Sequence, residues 1–131
     1  MIGIDTNVLM RYIAQDDPAQ SRRATAFIEN ECSPTTPGFV GLLVLAEVVW
    51  VSESVYEASR EEVAHILRRI LGIRQLVVED AETAWKALRL FEASQADFSD
   101  CLIACSASKA GCESVVSFDK QAAKMGMTLL K

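Results

Sequence analysis

The sequence predicts an α/β fold in which a parallel sheet is covered by helices on both faces. Short apolar runs such as "IGI", "QLVV" and "SVVSF" alternate with longer stretches of helical spacing. No hairpin signal joins neighbouring apolar runs, which favours parallel over antiparallel pairing. The chain has 131 residues, half of them apolar and few of them Gly or Pro, enough for a single domain over residues 1–131 with a core of its own.

Each element follows from a local signal. "IGID" (residues 2–5) reads as a buried-type strand ending on an acid, and "NVLMRYIA" has helical spacing. "DDPAQSRRATAFIENE" restarts a helix, with Pro18 near its first turn, where its missing N–H leaves no bond unmade. "TTPGF" is a turn or short strand before a helix from about Gly41 to Glu53, and the "CSPTTPGFVG" loop leaves the limits of this second strand open. "SREEVAHILRRILG" carries a capping box, Ser59 with Glu62, and a stop at Gly72. "QLVVE" is a strand, "DAETAWKALRLFEAS" an amphipathic helix, and "DFSDCLIACSASKAG" a helix ended by Gly111. "SVVSF" is a strand, "DKQAAKM" a short helix and "TLL" the last strand.

Composition removes several classes of function. The longest apolar run, "GFVGLLVLA" with "VVWV" after Glu47, falls short of the about 18 apolar residues that a membrane span needs. "MIGIDTN" lacks the basic start of a secretory signal, so a cytoplasmic protein is expected. A net charge of −5 argues against coating nucleic acid by bulk electrostatics, though not against local contact. Cys32, Cys101, Cys105 and Cys112 form no C-x-x-C pair, and the one histidine, His65, is remote from them in sequence. They are expected to be buried, reduced thiols rather than zinc ligands.

Several carboxylates stand where solubility does not explain them. Asp5 follows "IGI" and Asp119 follows "VVSF", so both should emerge at the carboxyl edge of a sheet, where ligands of α/β proteins gather. A turn or cap role would account for either one alone. Glu47 has Leu43, Val44, Trp50 and Val51 one helical turn away, which implies a carboxylate shielded from water with no local base to neutralise it. Asp97 and Asp100 stand one turn apart at the start of an apolar helix. Asp97 is placed as its cap and Asp100 as a site residue in the third helical position, and an exchange of these roles stays open. Carboxylates brought together repel, and a hard divalent cation removes the conflict. Mg²⁺ or Mn²⁺, with their preference for oxygen ligands, suit such a set.

"IGIDTNVLMRYI", "LLVLAEVVWV", "ADFSDCLIACSASKAG" and "SVVSFD", in this order, resemble the PIN-domain nucleases, in particular the VapC-type toxin ribonucleases of toxin–antitoxin pairs. The likeness runs from residue 2 to the last strand. It implies a PIN-like α/β/α sandwich with a central parallel sheet and a Mg²⁺- or Mn²⁺-dependent endoribonuclease. Carried over by position, the family's acidic quartet falls on Asp5, Glu47, Asp100 and Asp119, as catalytic residues and metal ligands. Asp97 matches the additional acid of members reading "ADF-x-D". Thr6 and Ser117 match supporting positions, and Asn7 the "DTN" opening. "SFD" stands where many members read "TRD" or "TFD", so a basic residue often found there is missing. The resemblance also implies an RNA substrate, a homodimer and a small antitoxin protein that blocks the site.

Arg11 and Lys120 are candidates to hold an RNA backbone, with Arg22, Arg23, Lys109 and Lys124, although solvated helix surface is their ordinary role. Trp50, Tyr56 and Trp85 could stack on bases, but their helical spacing within apolar faces favours core or interface. Two rival functions stand beside the nuclease. One is a PIN module that binds RNA or protein without cutting. The other is a Mg²⁺-dependent phosphotransferase or phosphatase of the haloacid-dehalogenase kind, which would carry a second aspartate where this chain has Asn7.

Overall fold

The computed structural model describes residues 1–130 and divides the chain into two compact units, Met1–Ala81 and Glu82 onward. The first unit is built on three parallel strands, β1 (Ile2–Gly3), β2 (Gly38–Val40) and β3 (Leu76–Val78). β2 lies in the middle, with Ile2 opposite Gly38 and Phe39 opposite Val77. Ile4, Val40, Leu76 and Val78 are buried, whereas Ile2 and Val77 are 59% and 43% exposed, so the sheet is enclosed only in part and β1 itself is not the buried-type strand expected.

Helix α1 (Thr6–Ala14) starts directly after Asp5 and stops at Gln15, whose φ of 54° reverses the chain. α2 (Pro18–Ala26) begins on the Asp17 cap with Pro18 in its first turn, and continues through a π-helical turn over Phe27–Glu31. α3 (Leu42–Ser54) follows β2, and α4 (Arg60–Leu71) carries both bonds of the Ser59–Glu62 capping box. Leu9, Ile28, Leu45, Val48, Leu67 and Ile70 are fully enclosed, and α1 packs on α2 and on α3, as α3 does on α4.

In the second unit, α5 (Ala81–Ala93) and α6 (Phe98–Lys109) precede β4 (Val116–Ser117), α7 (Lys120–Lys124) and β5 (Thr128–Leu129). Phe91 of α5 and Phe98 of α6 meet edge to face with ring centroids 6.0 Å apart, a favourable aromatic geometry. β4 and β5 pair in parallel, Val116 opposite Thr128. The parallel pairing is as expected; among the described residues it is distributed over a three-stranded and a two-stranded sheet.

All four cysteines are free, and Cys32 and Cys101 are buried as expected. Cys105 is half-buried and Cys112 is exposed, because the latter lies past the end of α6, just after Gly111 turns the chain with a φ of 95°. No helix among the described residues is long and apolar enough to cross a membrane.

Candidate active site

Asp5 takes the N-cap position of α1, with extended backbone, but its side chain makes no capping bond and is exposed. The next residue, Thr6, is buried, and its hydroxyl donates to Glu47 Oε1 at 3.0 Å. The first turn of α1 and the middle of α3 are thus tied together by one side-chain bond. Glu47 is exposed, which corrects the expectation of a shielded carboxylate. α3 is apolar nearly all round and buries Leu45, Val48, Val49 and Ser52, whereas Leu43 and Trp50, one turn to either side of Glu47, are 75% and 67% exposed. Trp50 is therefore not a core residue of this chain, and Trp85 is half-buried.

Glu79 was missed by sequence reasoning although it follows β3 as Asp5 follows β1. Its Oε1 accepts the Leu42 N–H at 2.9 Å and so caps α3. The same signal, an acid after an apolar strand, marks one carboxylate that holds a helix and another that is uncommitted. Asn7 and Arg11 line a cavity that Asp5 also lines. Arg11 is committed within the unit, donating to Gln20 Oε1 at 2.7 Å and pairing with Asp16 at 3.3 Å.

In the second unit, Asp97 occupies the N-cap of α6, but its side chain makes no capping bond, which corrects its reading as the helix cap in more than position. The Cys101 N–H closes the first turn on the Asp97 carbonyl at 3.1 Å. Asp100, three residues on, is half-buried. Burial, then the neighbouring Asp97 and Asp119 carboxylates, raise its carboxyl above the usual aspartate range. Asp119 caps α7 by accepting the Gln121 N–H at 2.9 Å, and its own N–H donates to Ser117 Oγ at 2.9 Å. The Ser117 hydroxyl thereby fixes the backbone at Asp119. Lys120, the first residue of α7, is exposed.

The structure therefore brings Thr6 to Glu47 in one unit, and in the other sets Asp97 and Asp119 each within electrostatic reach of Asp100. Among the described residues, no three His, Cys, Asp or Glu side chains are grouped closely enough to hold a metal ion.

Parallel strands, acids two residues past the ends of β1 and β4, and a threonine-held glutamate on the helix after β2 define a class of α/β proteins with carboxylates near the strand ends. The chain belongs to the PIN-domain family, whose sequence profile matches residues 2–126. It is similar to the VapC ribonuclease of Aquifex aeolicus (strain VF5), being 28% identical over 123 residues, which are 94% of this chain and 90% of that protein.

Proposed function

We propose that the protein is a Mg²⁺- or Mn²⁺-dependent endoribonuclease, folded as one PIN domain and acting in the cytoplasm as the toxin of a type II toxin–antitoxin pair. Its substrate is tRNA or another structured RNA, and a cognate antitoxin protein restrains it. Family membership and the VapC relative support the reaction class. The observation that carries the cation is the crowding of negative charge at Asp100, whose half-buried carboxyl is pushed up by burial and by Asp97 and Asp119. A divalent cation relieves that repulsion, and an all-oxygen donor set fits Mg²⁺ or Mn²⁺. Asp5, Glu47, Asp100 and Asp119 are the proposed ligands. Exposed Leu43, Trp50 and Val55 on and beside α3 support a homodimer.

When bound, such a cation supplies Lewis acidity to the phosphodiester and makes water a better nucleophile. The chain's own residues do the positioning. Thr6 holds Glu47 in one orientation, and Ser117 holds the backbone of Asp119. Asp97, the carboxylate outside this ligand set, orients the attacking water and takes its proton. In-line attack by water leaves a 5′-phosphate and a 3′-hydroxyl without using the RNA 2′-hydroxyl.

The test is incubation of purified, partner-free protein with total cellular RNA, with Mn²⁺ or with chelator, beside Asp5→Asn. Discrete fragments bearing 5′-phosphates are expected from the parent with Mn²⁺ only. Intact RNA after treatment with folded parent under every divalent metal would refute the reading.

A further inference from the structure

A cavity of about 700 Å³ lies in the first unit, within the range of small-molecule sites. Its polar lining comes from Asp5, Asn7 and Arg11 around α1 and from Gln20 and Arg23 on α2, and the rest of the wall is apolar, with Phe27 of the π-helical turn its one aromatic ring. The two guanidinium groups differ in state. Arg11 is fixed: its Nε donates to Gln20 Oε1 at 2.7 Å and it pairs with Asp16 at 3.3 Å. Asp16 is in turn held by the Tyr56 hydroxyl at 2.7 Å. Arg23 is exposed, and its side chain makes no ion pair among the described residues. Because Gln20 Oε1 is engaged by Arg11, the amide N–H groups of Gln20 are the part left to donate to a ligand.

We infer that this cavity is a nucleotide subsite, taking one unstacked nucleotide of the RNA with its phosphate on Arg23 and its base against Phe27. The inference rests on the ribonuclease reading, because it puts bound RNA beside Asp5. Guanidinium groups match phosphate by paired hydrogen bonds, and single-stranded RNA is held by stacking its splayed bases on aromatic rings. The amides of Asn7 and Gln20 face the same space and suit the polar edge of a base or a ribose hydroxyl. The wall is mixed, with the charged and amide side chains of Asp5, Asn7, Arg11, Gln20 and Arg23 beside Phe27 and small apolar residues, which suits a ligand with both a charged group and an apolar ring. In a chain of net charge −5, a free arginine beside a fixed one also marks a local place for a polyanion.

The test uses Asp100→Asn, a substitution outside the cavity that removes cleavage under the proposed function. Fluorescence anisotropy with a labelled, short single-stranded RNA of mixed sequence then reads binding alone, in Mn²⁺ and across a salt series. Adding Arg23→Ala is expected to weaken binding about tenfold and to reduce the salt slope by about one. Arg23→Lys should restore the slope but only part of the affinity, because lysine keeps the charge and loses the planar fork. Phe27→Leu should weaken binding about fivefold with the slope unchanged, as loss of stacking predicts. Equal RNA affinity with and without Arg23→Ala would overturn the subsite and assign the cavity to another occupant such as a protein partner. If the parent still cuts RNA in that case, the ribonuclease reading stands. Arg23-dependent binding without cleavage by the parent would uphold the cavity as a nucleotide site and overturn the ribonuclease reading. A parent that neither binds nor cuts RNA would overturn both.

Discussion

Thr6 shows how much one hydroxyl can decide. It is buried and donates to Glu47 Oε1 across 41 residues of sequence, so the glutamate has one preferred orientation although it is exposed. Thr6→Val removes the donor at nearly constant volume, and water replaces the bond at the exposed carboxylate. Stability should therefore change by no more than about 1 kcal/mol, while cleavage falls about tenfold, as when a group orienting a metal ligand is lost. Thr6→Ser should restore cleavage. Denaturant unfolding beside single-turnover cleavage of RNA checks both halves, and undiminished cleavage by Thr6→Val would remove Thr6 from the site. Asp5 and Asp119 are legible in the sequence because each ends an apolar strand-like run. Glu47 is picked out for its apolar neighbours, yet two of them, Leu43 and Trp50, are exposed with it while Val44 and Val51 are half-buried. Its bond to Thr6 is illegible because nothing local connects the two positions. Glu79 carries the Asp5 signal and is spent on capping α3, a distinction that only the Leu42 N–H reveals.

At the scale of elements, the helices were the easier part to read. Pro18 in the first turn of α2, the Ser59–Glu62 box of α4 and the Gly72 stop each act within a few residues, and each is seen. β2 is harder, because the apolar run from Gly38 to Ala46 passes from strand to helix without a polar break to mark the change. The middle strand depends on a close approach: a Cβ at Gly38 would collide with Ile4 and stand 2.9 Å from Leu76 Cδ2. Ile4 and Leu76 are buried on the two neighbouring strand segments and have little room to withdraw. Gly38→Ala should therefore destabilise by about 1–3 kcal/mol through overpacking. The expected result is a lower urea midpoint with an unchanged slope, and an unchanged midpoint would mean that the strands shift apart freely.

For the whole molecule, the decisive quantity is stability as a function of divalent cation and pH. Asp100 has its carboxyl raised by burial, then by Asp97 and Asp119. A raised folded-state value favours the protonated form on folding. This contribution is complete below the ordinary aspartate range and is lost as pH rises through the raised value. At neutral pH the ionised group is then a cost, which a bound cation offsets. Mn²⁺ should raise the melting temperature of the parent, with a gain that grows logarithmically to about 2.7 kcal/mol at a hundredfold excess over Kd. In chelator, Asp100→Asn should melt about 2 °C higher than the parent, since it removes the repulsion, and it should gain little from Mn²⁺. Asp5→Asn should also lose most of the Mn²⁺ response. Glu79→Gln should keep it, because an amide oxygen still accepts the Leu42 N–H and the residue only caps α3. The response in the parent should fade on mild acidification, as protons compete for Asp100 before they reach an ordinary aspartate. Differential scanning fluorimetry over Mn²⁺ concentration and pH reads all of these. An equal Mn²⁺ response in the parent, Asp5→Asn and Asp100→Asn would place the cation elsewhere and leave the repulsion at Asp100 unrelieved by metal.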